Sequence, residues 1–192
     1  MRFFDPDAEE CMRVGVVVTF LRMDRAPTDP APALPDGFTV RKLPVCSVAQ
    51  YRALYNMVGG PWLWWLRRLM PDRDLAQHLS RVAISIYVAE YRGEVVGFYE
   101  LDAGQWPSMN LSYFGLMPQA IGHGFGQAFL RHAVDAAWAM KARAVTVNTC
   151  TADHPRALPN YKRVGFREVR AVEEMWDIPR KLGLKKPAHM SS

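Results

Sequence analysis

Residues 113–127 read YFGLMPQAIGHGFGQ. An apolar run stops at Pro118, a loop places glycine at 122, 124 and 126, and a helical pattern starts immediately afterwards. Glycines at this spacing remove the side chains that would hold a ligand away from the backbone. They also leave several N–H groups at a helix start free to point at one anion. A pyrophosphate suits such a nest of donors. The stretch therefore bears on ligand binding as well as on folding, and it sets a strand beside a helix, the mark of a mixed α/β (α+β) chain.

The flanking sequence extends that pattern in both directions. Upstream, residues 84–91 and 94–102 alternate around Arg92-Gly93, a hairpin signal, and 109–117 predicts a further strand after a turn at 105–108. Downstream, 126–143 predicts a helix. Phe125, Phe129, Ala133, Ala136, Ala137 and Met140 recur along it at near-helical spacing, giving a buried stripe. Residues 145–150 read as a strand. Residues 153–163 read as a helix with Pro155 in its first turn, ended by Gly165. Residues 166–178 read as a last strand. Before the hairpin lie a strand at 38–43, helical stretches over 45–69 broken near Gly59-Gly60-Pro61, and a short helix at 72–81 with Asp72 as N-cap. The β-branched run 14–23 is a strand of its own, followed at 26–37 by four prolines in twelve residues, an extended linker. The expected division is an N-terminal extension over 1–37, one domain over 38–178 and a basic, flexible tail over 179–192.

Bulk properties narrow the class. The chain has 192 residues, 49% of them hydrophobic, enough for a core. The formal charge of +5 includes Arg180, Lys181, Lys185 and Lys186 in the tail, and no dense basic tract lies elsewhere. A mild positive field favours an anionic small ligand over nucleic acid. Cys11, Cys46 and Cys150 are few, odd in number and far apart, against a disulfide framework, and neither they nor the histidines show metal-ligand spacing, so no metal is expected. Asp5, Asp7, Glu9 and Glu10 give the N-terminus the wrong charge for a signal peptide. The apolar run 14–21 is far short of the roughly twenty residues that span a bilayer. A cytoplasmic protein, not bound to membrane, is the expectation.

The glycine loop is neither of two common phosphate motifs. G-x-G-x-x-G requires a different spacing, and Gly126-Gln127-Ala128 lacks the Lys-Ser/Thr of a Walker loop. About thirty-five residues on comes DHPRALPNYKRVGF, residues 153–166. The pair resembles the GNAT acetyltransferase superfamily, in which a strand ending in Pro leads into Arg/Gln-x-x-Gly-x-Gly/Ala, followed later by Ala, Tyr four residues on, and Gly-Phe. Here these are Gly124 and Gly126, then Ala157, Tyr161, Gly165 and Phe166. Two positions depart from the pattern. The family's Arg or Gln falls on Ile121, which has no side-chain donor, and an Asn that often precedes the Ala falls on His154. The resemblance covers about three quarters of the chain. It implies a mixed, mainly antiparallel central sheet with helices on both faces and a splayed parallel strand pair formed by 109–117 and 145–150.

The same resemblance implies acetyl-CoA as cosubstrate. The pyrophosphate would rest on the backbone of Gly122, His123, Gly124, Phe125, Gly126 and Gln127, with His123 either an added donor or simply solvated. Backbone groups near Leu116 and Met117 would pair with the pantetheine amides, one of them polarising the thioester carbonyl, and His154 would lie near the same arm. Tyr161 matches the general acid that protonates the departing thiolate; its alternative is packing beside Phe166. Glu100, among Phe98, Tyr99 and Leu101, is the candidate base if half-burial raises its pKa; otherwise it faces solvent. Cys150, four residues before His154, offers a competing acyl-enzyme route or is a small buried strand-end residue.

Residues 61–65, PWLWW, are the candidate acceptor wall. Trp62 and Trp65 would hold an apolar or cationic amine, or pack as one helix face. The expected function is acetyl transfer from acetyl-CoA to a primary amine, small-molecule or peptide, by direct attack. The alternative is a non-catalytic acyl-CoA-binding or sensing domain of the same fold. A homodimer is compatible, since strand 14–23 could extend the sheet or pair with another subunit.

Overall fold

The computed structural model describes residues 9–190; Asp5 and Asp7 lie outside the described residues. Seven strands form one sheet: β1 (Cys11–Met23), β2 (Phe38–Lys42), β3 (Ile84–Tyr91), β4 (Glu94–Gln105), β5 (Ser108–Leu116), β6 (Ala144–Cys150) and β7 (Arg167–Pro179). Their order is β2-β3-β4-β5-β6-β1-β7. All neighbours are antiparallel except β5 and β6, which run parallel. A parallel pair needs a crossover, here supplied by helix α4 (Phe125–Ala139). Helices α1 (Val48–Gly59), α2 (Leu66–Leu69) and α3 (Asp72–Leu79) precede the hairpin, and α5 (Ala157–Val164) precedes β7. The sheet is mixed and mainly antiparallel, as the sequence predicts.

Local chemistry accounts for the elements. In α1, Ser47 caps the helix by accepting the Gln50 N–H at 3.1 Å, the first half of a Ser-x-x-Gln capping box. Its Tyr51, Leu54, Tyr55 and Val58 are buried at i, i+3, i+4 and i+7. Alternation in β4 sends Phe98 to the cluster with α1 and α3, and Tyr99 and Leu101 to the cluster with α4 and Tyr161. The sheet is therefore covered on both faces. In α4, Phe125, Phe129, Ala133 and Ala137 are buried, with Ala136 and Met140 packed at the edge of the same core.

Four expectations change. Strand β1 is not peripheral: it lies between β6 and β7, and its Val14, Val16 and Val18 form a third core cluster with Leu63, Ala152 and Ile178. The 179–192 segment packs rather than trailing as far as it is described. Leu182, Leu184 and Met190 lie against that third cluster, and His189 Nε2 is 2.9 Å from the Thr151 carbonyl. Asp72 is the first residue of α3, with Pro71 at the N-cap and no side-chain cap bond. Helix α5 begins at Ala157, leaving Pro155 in the turn before it, because the Asp153 side chain folds back onto β6 instead of opening a helix. No helix among the described residues is long and apolar enough to cross a membrane.

Candidate active site

Strands β5 and β6 share a ladder only from Ser108/Ala144 to Leu111/Val147, although both continue beyond it. At that point β5 also slips against β4: Leu101 faces Leu111 while Glu100 faces Tyr113, leaving Ser112 as an extra residue. Such a bulge bends its strand, and β5 diverges from β6. The gap opens into a cavity of about 810 Å³. Phe114, Phe125, Leu130 and Tyr161 line it from the α4 face, and Tyr55, Trp64 and Tyr113 from the α1 face. The cavity thus runs through the plane of the sheet.

The glycine loop forms one end. Gly122 and Gly124 take φ of +89° and +82°, conformations that favour glycine, and Gly124 is the N-cap of α4 without a side-chain cap bond. The first-turn N–H groups have no partner within the helix. Ile121, Gly122, Gly124, Phe125, Gly126 and Gln127 line the cavity, and Gln127 Nε2 is a buried donor with no protein partner. This donor set fits a pyrophosphate. His123 stands apart: it is exposed, does not line the cavity, and stacks on Phe125 at 5.8 Å.

Only part of the expected β5 backbone is available. The Met117 N–H already donates to Val96 O at 2.7 Å. Successive residues of an antiparallel strand turn their backbone groups alternately, so Gly115 and Met117 face β4 while Phe114 and Leu116 face the gap. Leu116 keeps free backbone polarity toward the cavity; Met117 does not, and its buried side chain belongs to the α1-side core.

Tyr161 lines the cavity and is otherwise buried, with its ring edge-on to Phe166 at 5.9 Å and to Phe114 at 6.5 Å. Burial, reinforced by the charge of Asp153, pushes its phenol above the usual value. The hydroxyl therefore stays protonated through the neutral range.

Glu100 departs from expectation. It is fully buried on the α1 face, where it accepts from Tyr51 Oη, from Arg67 Nη2 at 3.3 Å and lies 3.0 Å from His78 Nε2. Burial alone would raise its pKa, but the His78, Arg67 and Tyr51 contacts outweigh it and hold the carboxyl below the usual range. A pKa raised by half-burial, which the base role requires, is absent: four-residue windows of strand pattern carry no trace of partners on α1, α2 and α3. Glu100→Gln would strand Arg67 in the interior, at a loss of about 3 kcal/mol or roughly 6–12 °C in melting temperature. A depressed folded-state pKa stabilises above the unfolded value of about 4.3 and ceases to as pH falls through the folded value. The melting difference between wild type and variant should be full at neutral pH and close in acid.

Cys150 lines the cavity, yet burial and the nearby Asp153 charge push its thiol up to about 12. A protonated thiol is a poor nucleophile, and His154 Nδ1 is engaged in accepting the Arg156 N–H at 3.0 Å. If a raised thiol pKa rules out an acyl-enzyme route, Cys150→Ala should leave coenzyme A release within about twofold of wild type.

The three tryptophans do not share a helix face. Leu63 takes φ +59° between them, so Trp62 leaves a 3-10 turn and faces His154 at 5.1 Å, while Trp65 precedes α2 and faces Trp176 at 6.4 Å. Trp62, Trp64 and Trp65 all line the cavity that holds Tyr161. Sequence reasoning missed Arg67 and Asp153. Asp153 Oδ2 accepts from Thr149 Oγ1 at 2.7 Å and Cys150 N at 3.0 Å, and Oδ1 from Trp64 Nε1 at 3.2 Å. The only signal for it was an acid directly before His-Pro, which reads equally well as a helix start.

Residues 51–166 match the sequence pattern of the Acetyltransferase (GNAT) family. The fold is similar to a GCN5-related N-acetyltransferase from Sphaerobacter thermophilus (TM-score 0.62, 18% identity, 90% of this chain and 54% of that one). It is also similar to one from Kribbella flavida (TM-score 0.57, 16% identity, 89% and 63%). An aminoglycoside acetyltransferase from an uncultured soil metagenomic sample aligns with TM-score 0.55 at 14% identity over 68% and 89% of the two chains. The chain spans less than two thirds of the first two of these structures. A sequence comparison with curated proteins gives no match. With more than half of its length matching the family pattern, the chain belongs to the GNAT acetyltransferase family.

Proposed function

We propose that the chain is an acetyl-CoA-dependent N-acetyltransferase that passes an acetyl group to a primary amine by direct attack. The observation that carries this reading is one cavity with the glycine loop at one end, the splayed β5–β6 gap in the middle and Tyr161 on its wall. Acetyl-CoA supplies the activated acetyl group. Backbone N–H groups from Gly122 to Gln127, with Gln127 Nε2, hold the pyrophosphate, in a clamp built almost wholly without side chains. Backbone groups of Phe114 and Leu116, turned toward the gap, pair with the pantetheine amides in the manner of an added strand. Tyr161 offers its O–H to the departing sulfur; with a phenol above its usual pKa, this group stabilises the developing thiolate by donating a hydrogen bond. Glu100 takes no part as base, and the amine loses its proton to solvent in the open cavity.

Calorimetric titration tests the clamp. Acetyl-CoA should bind about a hundredfold more tightly than S-acetylpantetheine, which lacks the pyrophosphate. Equal affinities would contradict the assignment of the loop.

A further inference from the structure

Among the described residues, Asp153 is the only carboxylate that lines the cavity. It sits at the end of β6, held on three sides: Thr149 Oγ1 and the Cys150 N–H donate to Oδ2, and the Trp64 indole N–H donates to Oδ1. A carboxylate offers about four acceptor sites, so Oδ1 keeps capacity for one more donor. The cationic lining groups are accounted for elsewhere. Arg67 is paired with Glu100 through Nη2, although its buried Nε has no protein partner. Arg156 and Arg163 are exposed at the two ends of α5, the helix that packs on α4 and so lies toward the glycine loop. His154 faces Trp62. Asp153 accepts from the Cys150 N–H and lines the same cavity as Tyr113 and Tyr161, so it shares the cavity with the reacting end.

Around Asp153 the wall is indole. Trp64 touches it directly, Trp62 packs on the adjacent His154, and Trp65 and Trp176, packed against the β1–β7 cluster, line the same cavity. We propose that Asp153 binds the ammonium of the acceptor and that these indoles enclose an aromatic body attached to it, so that the acceptor class is an arylalkylamine. A cation close to an indole face is also favoured by the ring quadrupole. The assignment rests on the acetyl-transfer reading for its consequence, since the ammonium held here is the amine that meets the thioester near Tyr161. Recognition itself does not depend on turnover.

The test is equilibrium binding to the full chain, followed by tryptophan fluorescence, with three probes of one shape: 2-phenylethylamine, 2-phenylethanol and 3-phenylpropionate. The amine should bind at least about tenfold more tightly than the alcohol, and the carboxylate most weakly. Equal or tighter binding of the alcohol or carboxylate to the wild-type chain would overturn the proposal without any variant. In Asp153→Asn, one oxygen still accepts from Thr149 and Cys150, while the amide nitrogen meets the Trp64 N–H, which loses its acceptor. The amine's advantage over the alcohol should fall to within about twofold there, with alcohol affinity kept; an undiminished advantage would also overturn it. Coenzyme A release is measured separately. Charge-selective amine binding without release would contradict acetyl transfer and leave the recognition standing, whereas release without charge selectivity would do the reverse.

Discussion

Tyr161→Phe is expected to lower turnover about a hundredfold while acetyl-CoA affinity stays within about twofold of wild type. The ring survives in the variant, so its contacts with Phe114 and Phe166 persist and the fold is not disturbed. What disappears is one O–H on the cavity wall. If the sulfur leaves as a thiolate stabilised by that O–H, the loss falls on the transition state and appears in kcat, not in binding. If Tyr161 serves only to pack, kcat does not move. The pH profile gives a second reading of the same group. Burial and Asp153 push the phenol up, so the donating form persists on the alkaline side, and wild-type kcat should show no fall attributable to this group below about pH 10. A descending limb near neutrality that vanishes in Tyr161→Phe would contradict the assignment.

Gly126→Leu is expected to weaken acetyl-CoA binding about tenfold or more without destabilising the protein. A Cβ at Gly126 would meet nothing within 4 Å, and the residue is in the first turn of α4. Helix propensity alone therefore predicts a stability equal to or above wild type, by up to about 1 kcal/mol. The space the new side chain enters is the cavity beside the loop, where the phosphates are assigned. Stability and affinity then move in opposite directions, which separates a ligand clamp from a folding element. Gly124 is a poorer probe: at φ +82° any L side chain adds strain of about 1–2 kcal/mol. His123→Ala supplies the contrast, since its ring stacks on Phe125 outside the cavity; affinity should change by less than about twofold.

Much of this was legible in the chain. The hairpin turn at Arg92-Gly93, where both residues take positive φ, the glycine loop opening α4, and the αL glycine at 165 after α5 are all local signals, fixed by residues within a few positions of one another. What was not legible depends on distant pairing. Strand β1 reads as an appendage because its partners lie more than a hundred residues on: Val18 pairs with Cys150 on one side and Val172 on the other. Periodicity announces a strand and is silent about its neighbours. Glu100 shows the same limit in chemistry. Its strand pattern leaves half-burial and solvent exposure both open; full burial and the sign of the pKa shift are decided by Tyr51, Arg67 and His78, which converge only in three dimensions. The Trp62–Trp65 spacing suggested a helix face until one left-handed residue, Leu63, turned the two rings apart. Asp153 was hidden by ambiguity: an acid before His-Pro reads as a helix start, whereas its side chain instead ties β6 to Trp64.

The most direct measurement is release of coenzyme A from acetyl-CoA by the purified wild-type chain, with primary amines supplied singly and the acetylated product identified by mass spectrometry. The account predicts release that depends on the amine, matches the N-acetyl product one for one, and falls about a hundredfold in Tyr161→Phe. Tight acetyl-CoA binding with no amine-dependent release, across small amines and peptides alike, would contradict it and leave a binding domain in its place.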